Sequence, residues 1–143
     1  MNTPVWTGRS HLIAALLLTG LVAACYFNSL GNGFTYDDEH IIVSNERMRG
    51  WEVLPHLISP EYLSVSKELS YRPLVTLFHV VDYRLWGLRP FGFHLTNLLL
   101  HLGTTLLVYA FFVLLLNHPR PGPMAALLGA ALFAVSRHHF APQ

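Results

Sequence analysis

The sequence predicts an all-α membrane protein with about three transmembrane helices and one long extracytoplasmic loop containing interfacial helices. Three observations predict it. Of the 143 residues, 52% are hydrophobic and only 12% charged, against roughly 25% charged in a soluble domain. Every acidic residue (Asp37, Asp38, Glu39, Glu46, Glu52, Glu61, Glu68, Asp82) falls between positions 37 and 82. On either side of that segment lie nearly uncharged apolar runs, one before it and two after it. A chain with so little charge presents much of its surface to something other than water.

The elements follow in order. Residues 1–11 form a short tail. Residues 12–30, LIAALLLTGLVAACYFNSL, form the first span. About 20 apolar residues are needed to cross a bilayer, so this run crosses with little margin, Asn28 and Ser29 lying at its outer edge. Residues 31–90 form the polar loop. Between Glu61 and Trp86, residues Leu63, Leu69, Leu74, Leu77, Phe78, Val81 and Leu85 recur at helical spacing, as in one or two amphipathic helices lying at the interface. Tyr62, Tyr71, Tyr83 and Trp86 suit the aromatic belt that anchors such helices. The second span, residues 91–116, is longer and more apolar. Three prolines within residues 117–123 make a tight hairpin. The third apolar run, 124–135, is short and needs Ser136 onward to finish a crossing, so the last segment is read as 124–143.

Arg9 and Arg120 flank the apolar runs, which puts the N-terminus in the cytoplasm and the 31–90 loop outside. Six basic residues within the loop keep that bias modest. A multi-pass protein of the plasma (inner) membrane or an ER-type membrane follows. A rival reading takes Leu21-Val22-Ala23-Ala24-Cys25 as a lipoprotein signal. It is disfavoured because Tyr26, Phe27 and Leu30 continue the apolar run and two further spans follow. The net charge of +1 and pI near 8.0, with no clustered basic face, exclude nucleic acid as a partner. The bilayer and other membrane helices are the partners expected. The single cysteine, Cys25, excludes an internal disulfide and a multi-cysteine metal site.

Candidate chemistry gathers in the loop. Asp37-Asp38-Glu39 places three carboxylates just beyond the first span. Either they are a solvated loop, or one acts as general base on an acceptor hydroxyl or as ligand to a divalent ion. Crowded carboxylates repel one another and raise at least one pKa, which suits proton transfer near neutral pH. No metal site is otherwise evident, and no cofactor is identified. In Tyr71-Arg72-Pro73 the proline starts a helix and Arg72 offers a planar fork to a phosphate, to lipid head groups or to the acidic cluster. His94, Asn97 and His101 share one face of the second span. The two histidines lie two turns apart, too far for one ion, and helix–helix hydrogen bonding is the plainer role. Gly103, Thr104, Thr105 and Gly129 predict close helix packing.

These residues resemble a known family. The stretch Asn28-Ser29-Leu30-Gly31-Asn32-Gly33-Phe34-Thr35-Tyr36-Asp37-Asp38 is similar to the start of the transmembrane and tetratricopeptide-repeat (TMTC-like) proteins. Ser70-Tyr71-Arg72-Pro73-Leu74, then Pro90-Phe91-Gly92-Phe93-His94-Leu95-Thr96-Asn97 through His101, and Ala131-Leu132-Phe133-Ala134-Val135 match in the same order. The resemblance covers residues 12–135. It implies the GT-C glycosyltransferase superfamily, related to protein O-mannosyltransferases, with a lipid-linked sugar on a polyprenyl phosphate as donor. It also implies Asp37 or Asp38 as catalytic base, with Glu39, Tyr71, Arg72, His94 and His101 as donor-phosphate or structural support. After Val135 the family continues with a His-Pro-x-His-Thr-Glu segment, whereas here Ser136-Arg137-His138-His139 follows, as in a truncated or frameshifted reading frame. The expectation is therefore an N-terminal fragment, inactive alone. The alternative is a small non-catalytic membrane protein that packs against partner helices through the His94/Asn97/His101 face.

Overall fold

A computed structural model describes residues 7–35, 38–66, 70–116 and 122–136. Helix α1 (Gly8–Tyr26) continues into a 3₁₀ turn, Phe27–Gly31. A π-helical turn (Glu39–Val43) and 3₁₀ segments Glu46–Arg49 and Trp51–Ile58 follow. The remaining helices are α2 (Tyr62–Ser66), α3 (Pro73–Trp86), α4 (Pro90–Leu115) and α5 (Gly122–Val135). No strand occurs among the described residues, and the protein is an all-α membrane protein. Prolines open α3 and α4, where the missing N–H and fixed φ suit a first turn. The start of α1 lies four residues before the predicted 12, because Thr7 caps it: the Thr7 N–H donates to Ser10 Oγ at 3.4 Å.

Among the described residues, two helices are long and apolar enough to cross a bilayer. The 26 residues of α4 rise about 39 Å, more than the ~30 Å hydrocarbon core. The 24 residues from Gly8 to Gly31 also suffice, whereas the 14 of α5 are shorter. Only 17% of the most apolar stretch of the first and 11% of that of α4 are buried in the protein. Core helices of a soluble domain would be mostly buried, whereas these helices turn most of their apolar surface outward, as membrane spans do.

The chain divides into two compact units, residues 1–28 with 97–143, and residues 29–96. The first is built on Ala14 and Leu18 of α1, Tyr109 of α4, and Ala126 and Ala130 of α5. Ala126, Ala130 and Ala134, one per turn, are completely buried, and such small residues let helix backbones approach closely. A Cβ at Gly129 would lie 3.1 Å from the Phe112 ring, so that packing expectation holds. Gly103 and Thr104 depart from it, both being exposed. The Thr104 hydroxyl donates back to Leu100 O at 2.8 Å, and buried Thr105 donates to His101 O at 2.9 Å. The alanines of α5 carry the close approach instead.

The second unit centres on Val53, Val65 and Val80, with Ile41 against them. Buried Asn45 ties it together, its amide donating to Val65 O at 3.0 Å and Ser66 O at 3.1 Å. Helix α3 buries Thr76, Val80 and Asp82 and exposes Leu74, Phe78 and Leu85. It ends at Gly87, whose φ of +63° with ψ of −141° is a conformation open essentially to glycine.

Candidate functional site

The acidic motif follows the 3₁₀ turn that closes the first apolar helix. Asp37, with Tyr36, lies outside the described residues. Asp38 folds back on Thr35: one carboxylate oxygen accepts from both the N–H and the hydroxyl of Thr35, each at 3.0 Å. The Glu39 N–H donates to Thr35 O at 3.1 Å. This is the reciprocal logic of a helix cap, in which an acid three residues on satisfies the capping residue's own N–H. The other Asp38 oxygen has no partner among the described residues. Glu39 is exposed, and its carbonyl accepts from the N–H and hydroxyl of Ser44. Just upstream, His94 Nε2 lies 3.3 Å from Gly33 O, and the Phe34 ring meets Phe93 edge-on at 5.4 Å.

The Ser70-Tyr71-Arg72-Pro73 turn is built around buried Tyr62. The Tyr62 hydroxyl bonds to Thr76 Oγ1 at 2.5 Å and accepts from the Arg72 N–H at 3.2 Å. Tyr71 sets its ring edge-on to Tyr62 at 4.9 Å and donates its hydroxyl to Leu57 O at 2.7 Å. Arg72 is exposed, with Nε donating to Ser70 Oγ at 2.5 Å. Its two terminal nitrogens have no partner among the described residues, so the guanidinium edge that suits a phosphate is open. No hydrogen bond or ion pair among the described residues joins Arg72 to Asp38 or Glu39.

His94, Asn97 and His101 of α4 do not form one site. His101 Nε2 contacts Ala134 O at 3.1 Å, one of the carbonyls left over at the end of α5. Its ring stacks on Phe133 at 5.5 Å and receives the edge of Tyr26 at 5.0 Å. Helix–helix bonding, the plainer role, is what His101 performs. Asn97 is exposed, and His94 contacts Gly33 O instead.

Asp82 is the residue that sequence reasoning passed over. It is 3% exposed and accepts the Thr96 hydroxyl at 2.5 Å. Burial pushes its carboxyl above the ordinary value, while the Thr96 bond and nearby His79 offset part of the rise. The available signal was an acid placed directly after Val80-Val81 in an apolar-periodic run. Among the described residues no three His, Cys, Asp or Glu side chains converge as a metal site would require.

No protein-family profile and no solved structure matches the chain. It is similar to protein O-mannosyl-transferase Tmtc1 of Drosophila melanogaster, 33% identical over 126 residues, which covers 85% of this chain and 14% of that protein. Protein O-mannosyl-transferase TMTC4 of Homo sapiens is 35% identical over 141 residues, 87% of this chain and 19% of the relative. Protein O-mannosyl-transferase TMTC2 of Homo sapiens is 32% identical over 125 residues, 84% and 15% respectively. The chain thus spans less than a fifth of the length of these relatives. Matched by them over most of its own length, and built of the helices and acidic turn described above, the chain belongs to the TMTC-like family.

Proposed function

We propose that this chain is the acidic-loop portion of a membrane glycosyltransferase of the GT-C type. In this reading the enzyme moves mannose from a polyprenyl-phosphate carrier to a hydroxyl of a protein or glycan on the extracytoplasmic side. The supporting observation is that relatives matching 84 to 87% of the chain are named protein O-mannosyl-transferases. The acceptor oxygen bonds to the anomeric carbon as the bond from that carbon to the carrier phosphate breaks. Asp37 or Asp38 takes the hydroxyl proton, and the phosphate leaves with the electron pair. Thr35 fixes one oxygen of Asp38 and leaves the other for the acceptor. The open edge of Arg72 meets the departing phosphate, where charge-assisted bonds gain strength as negative charge grows. Glu39 and Tyr71 shape the surroundings, and His101 braces the spans.

The test grafts residues 12–135 into human TMTC4 in place of the matching stretch and follows labelled mannose from its polyprenyl phosphate in sealed microsomes. Asp37→Asn and Asp38→Asn are compared, since asparagine at 38 keeps an oxygen for Thr35 and loses the base. One of the two is expected to lose roughly 10²- to 10⁴-fold in transfer, the range for a general base, with membrane insertion intact. Full transfer by the double variant removes the site assignment. Loss of transfer on chelation, restored by a divalent ion, reassigns the carboxylates to metal binding.

A further inference from the structure

We propose that His94 is a positioning residue that fixes the acidic loop through the Gly33 carbonyl, and is not a contact to the donor phosphate. A carbonyl oxygen only accepts, so at the 3.3 Å contact Nε2 must carry the proton. In the neutral ring this leaves Nδ1 as a lone pair, which has no attraction for a phosphate oxygen. The neighbouring residue repeats the grip: Phe93, 4% exposed, takes the edge of Phe34 at 5.4 Å and 74°. Two successive residues of α4 therefore hold two successive residues of the loop. The very next residue, Thr35, holds the Asp38 carboxylate with its N–H and hydroxyl.

The anchor side is itself fixed. The Phe93 ring faces His79 of α3 at 6.2 Å, and one turn on from Phe93 the Thr96 hydroxyl donates to Asp82 of α3. The first two turns of α4 thus key both α3, which begins directly after Arg72, and the loop that carries the acids. Loss of the Nε2–H donor releases the loop while leaving the helix in place. The catalytic consequence rests on the proposed transferase reading; the positioning itself does not.

The test uses the whole 143-residue chain in detergent micelles. In the unmodified protein, long-range proton–nitrogen spectra at mildly alkaline pH are expected to show His94 as the Nε2–H tautomer, its signal identified by its loss in His94→Gln. The Nδ1–H tautomer overturns the proposal, whatever any variant does. In amide hydrogen exchange, His94→Phe is expected to speed Thr35 and Glu39 roughly fivefold, about what one neutral hydrogen bond is worth, with α4 unchanged. His94→Gln, whose amide also donates, is expected to restore protection. Unchanged exchange in His94→Phe overturns the proposal, and so does a Gln variant as exposed as the Phe variant. Should His94→Phe also unprotect α4, the tautomer decides. In the grafted enzyme His94→Phe is expected to lower kcat and leave KM for the donor lipid unmoved; a raised KM with unchanged exchange returns His94 to the phosphate. None of the spectroscopic outcomes depends on transfer, so they stand apart from the Asp37 and Asp38 assay.

Discussion

Asp82 is a carboxyl group placed where ionisation is penalised, and its proton equilibrium follows. At 3% exposure, burial is the largest influence and raises its pKa above the ordinary 3.8; the Thr96 hydroxyl and His79 pull the other way without cancelling it. The folded chain therefore holds this proton more tightly than the unfolded chain. The stability linked to it is complete below the ordinary value and is lost as pH rises through the raised one. Asp82→Asn keeps an oxygen for Thr96 and cannot ionise. Relative to wild type, the variant is expected to gain stability steadily from acid towards neutral pH, read as the unfolding midpoint by tryptophan fluorescence in micelles. Parallel pH profiles for the two proteins would dismiss the assignment. Sequence alone counted Asp82 among the loop acids. Its hydrogen-bond partner Thr96 lies 14 residues further along the chain, and no local pattern carries that.

Elements differ in how much of them is local. The second apolar run was legible as a helix almost to the residue, 91–116 against the helix Pro90–Leu115, because hydropathy and length are properties of the segment itself. The Tyr71-Arg72-Pro73 turn was legible for the same reason, Pro73 marking the start of α3. The turns between Glu39 and Ile58 were not, since 3₁₀ and π turns carry no sustained period and Asn45 finds its partners 20 and 21 residues away. Leu107 tests what surrounds α4. It lies near the middle of the helix and is 70% exposed. On a water-facing surface Leu107→Arg would change stability by no more than about 0.5 kcal/mol. In a bilayer an arginine at a helix centre costs about 2.5–3.5 kcal/mol of insertion free energy. The expected outcome is a large fall in the inserted fraction in a glycosylation-tag assay, and unchanged insertion would argue against lipid on that face.

At the scale of the whole molecule, the order of apolar, polar and apolar segments was legible, and the packing of residues 29–96 into a unit with its own core was not, because Val53, Val65 and Val80 are drawn from three separate elements. Sidedness follows from topology and charge together. In the topology proposed for it, α1 leaves the bilayer on the face where α4 enters, so the acidic motif and the Arg72 turn share one side. Long segments cross largely regardless of charge, so the rule is read from the short ones, which hold Arg9 and Arg120. Those two sites are expected in the cytoplasm and residues 29–96 on the other side, where the proposed reading has a sugar on a lipid carrier meet its acceptor. A chain with Cys25→Ser and one new cysteine, at Thr7 or at Ser64, tests this in sealed cells with a membrane-impermeant maleimide; both positions are exposed. Thr7→Cys should label only after the membrane is opened, and Ser64→Cys in intact cells or, for an ER-type membrane, only once the lumen is opened. The reverse pattern would put the acidic motif in the cytoplasm and, with it, end the extracytoplasmic transfer reading while leaving the fold untouched.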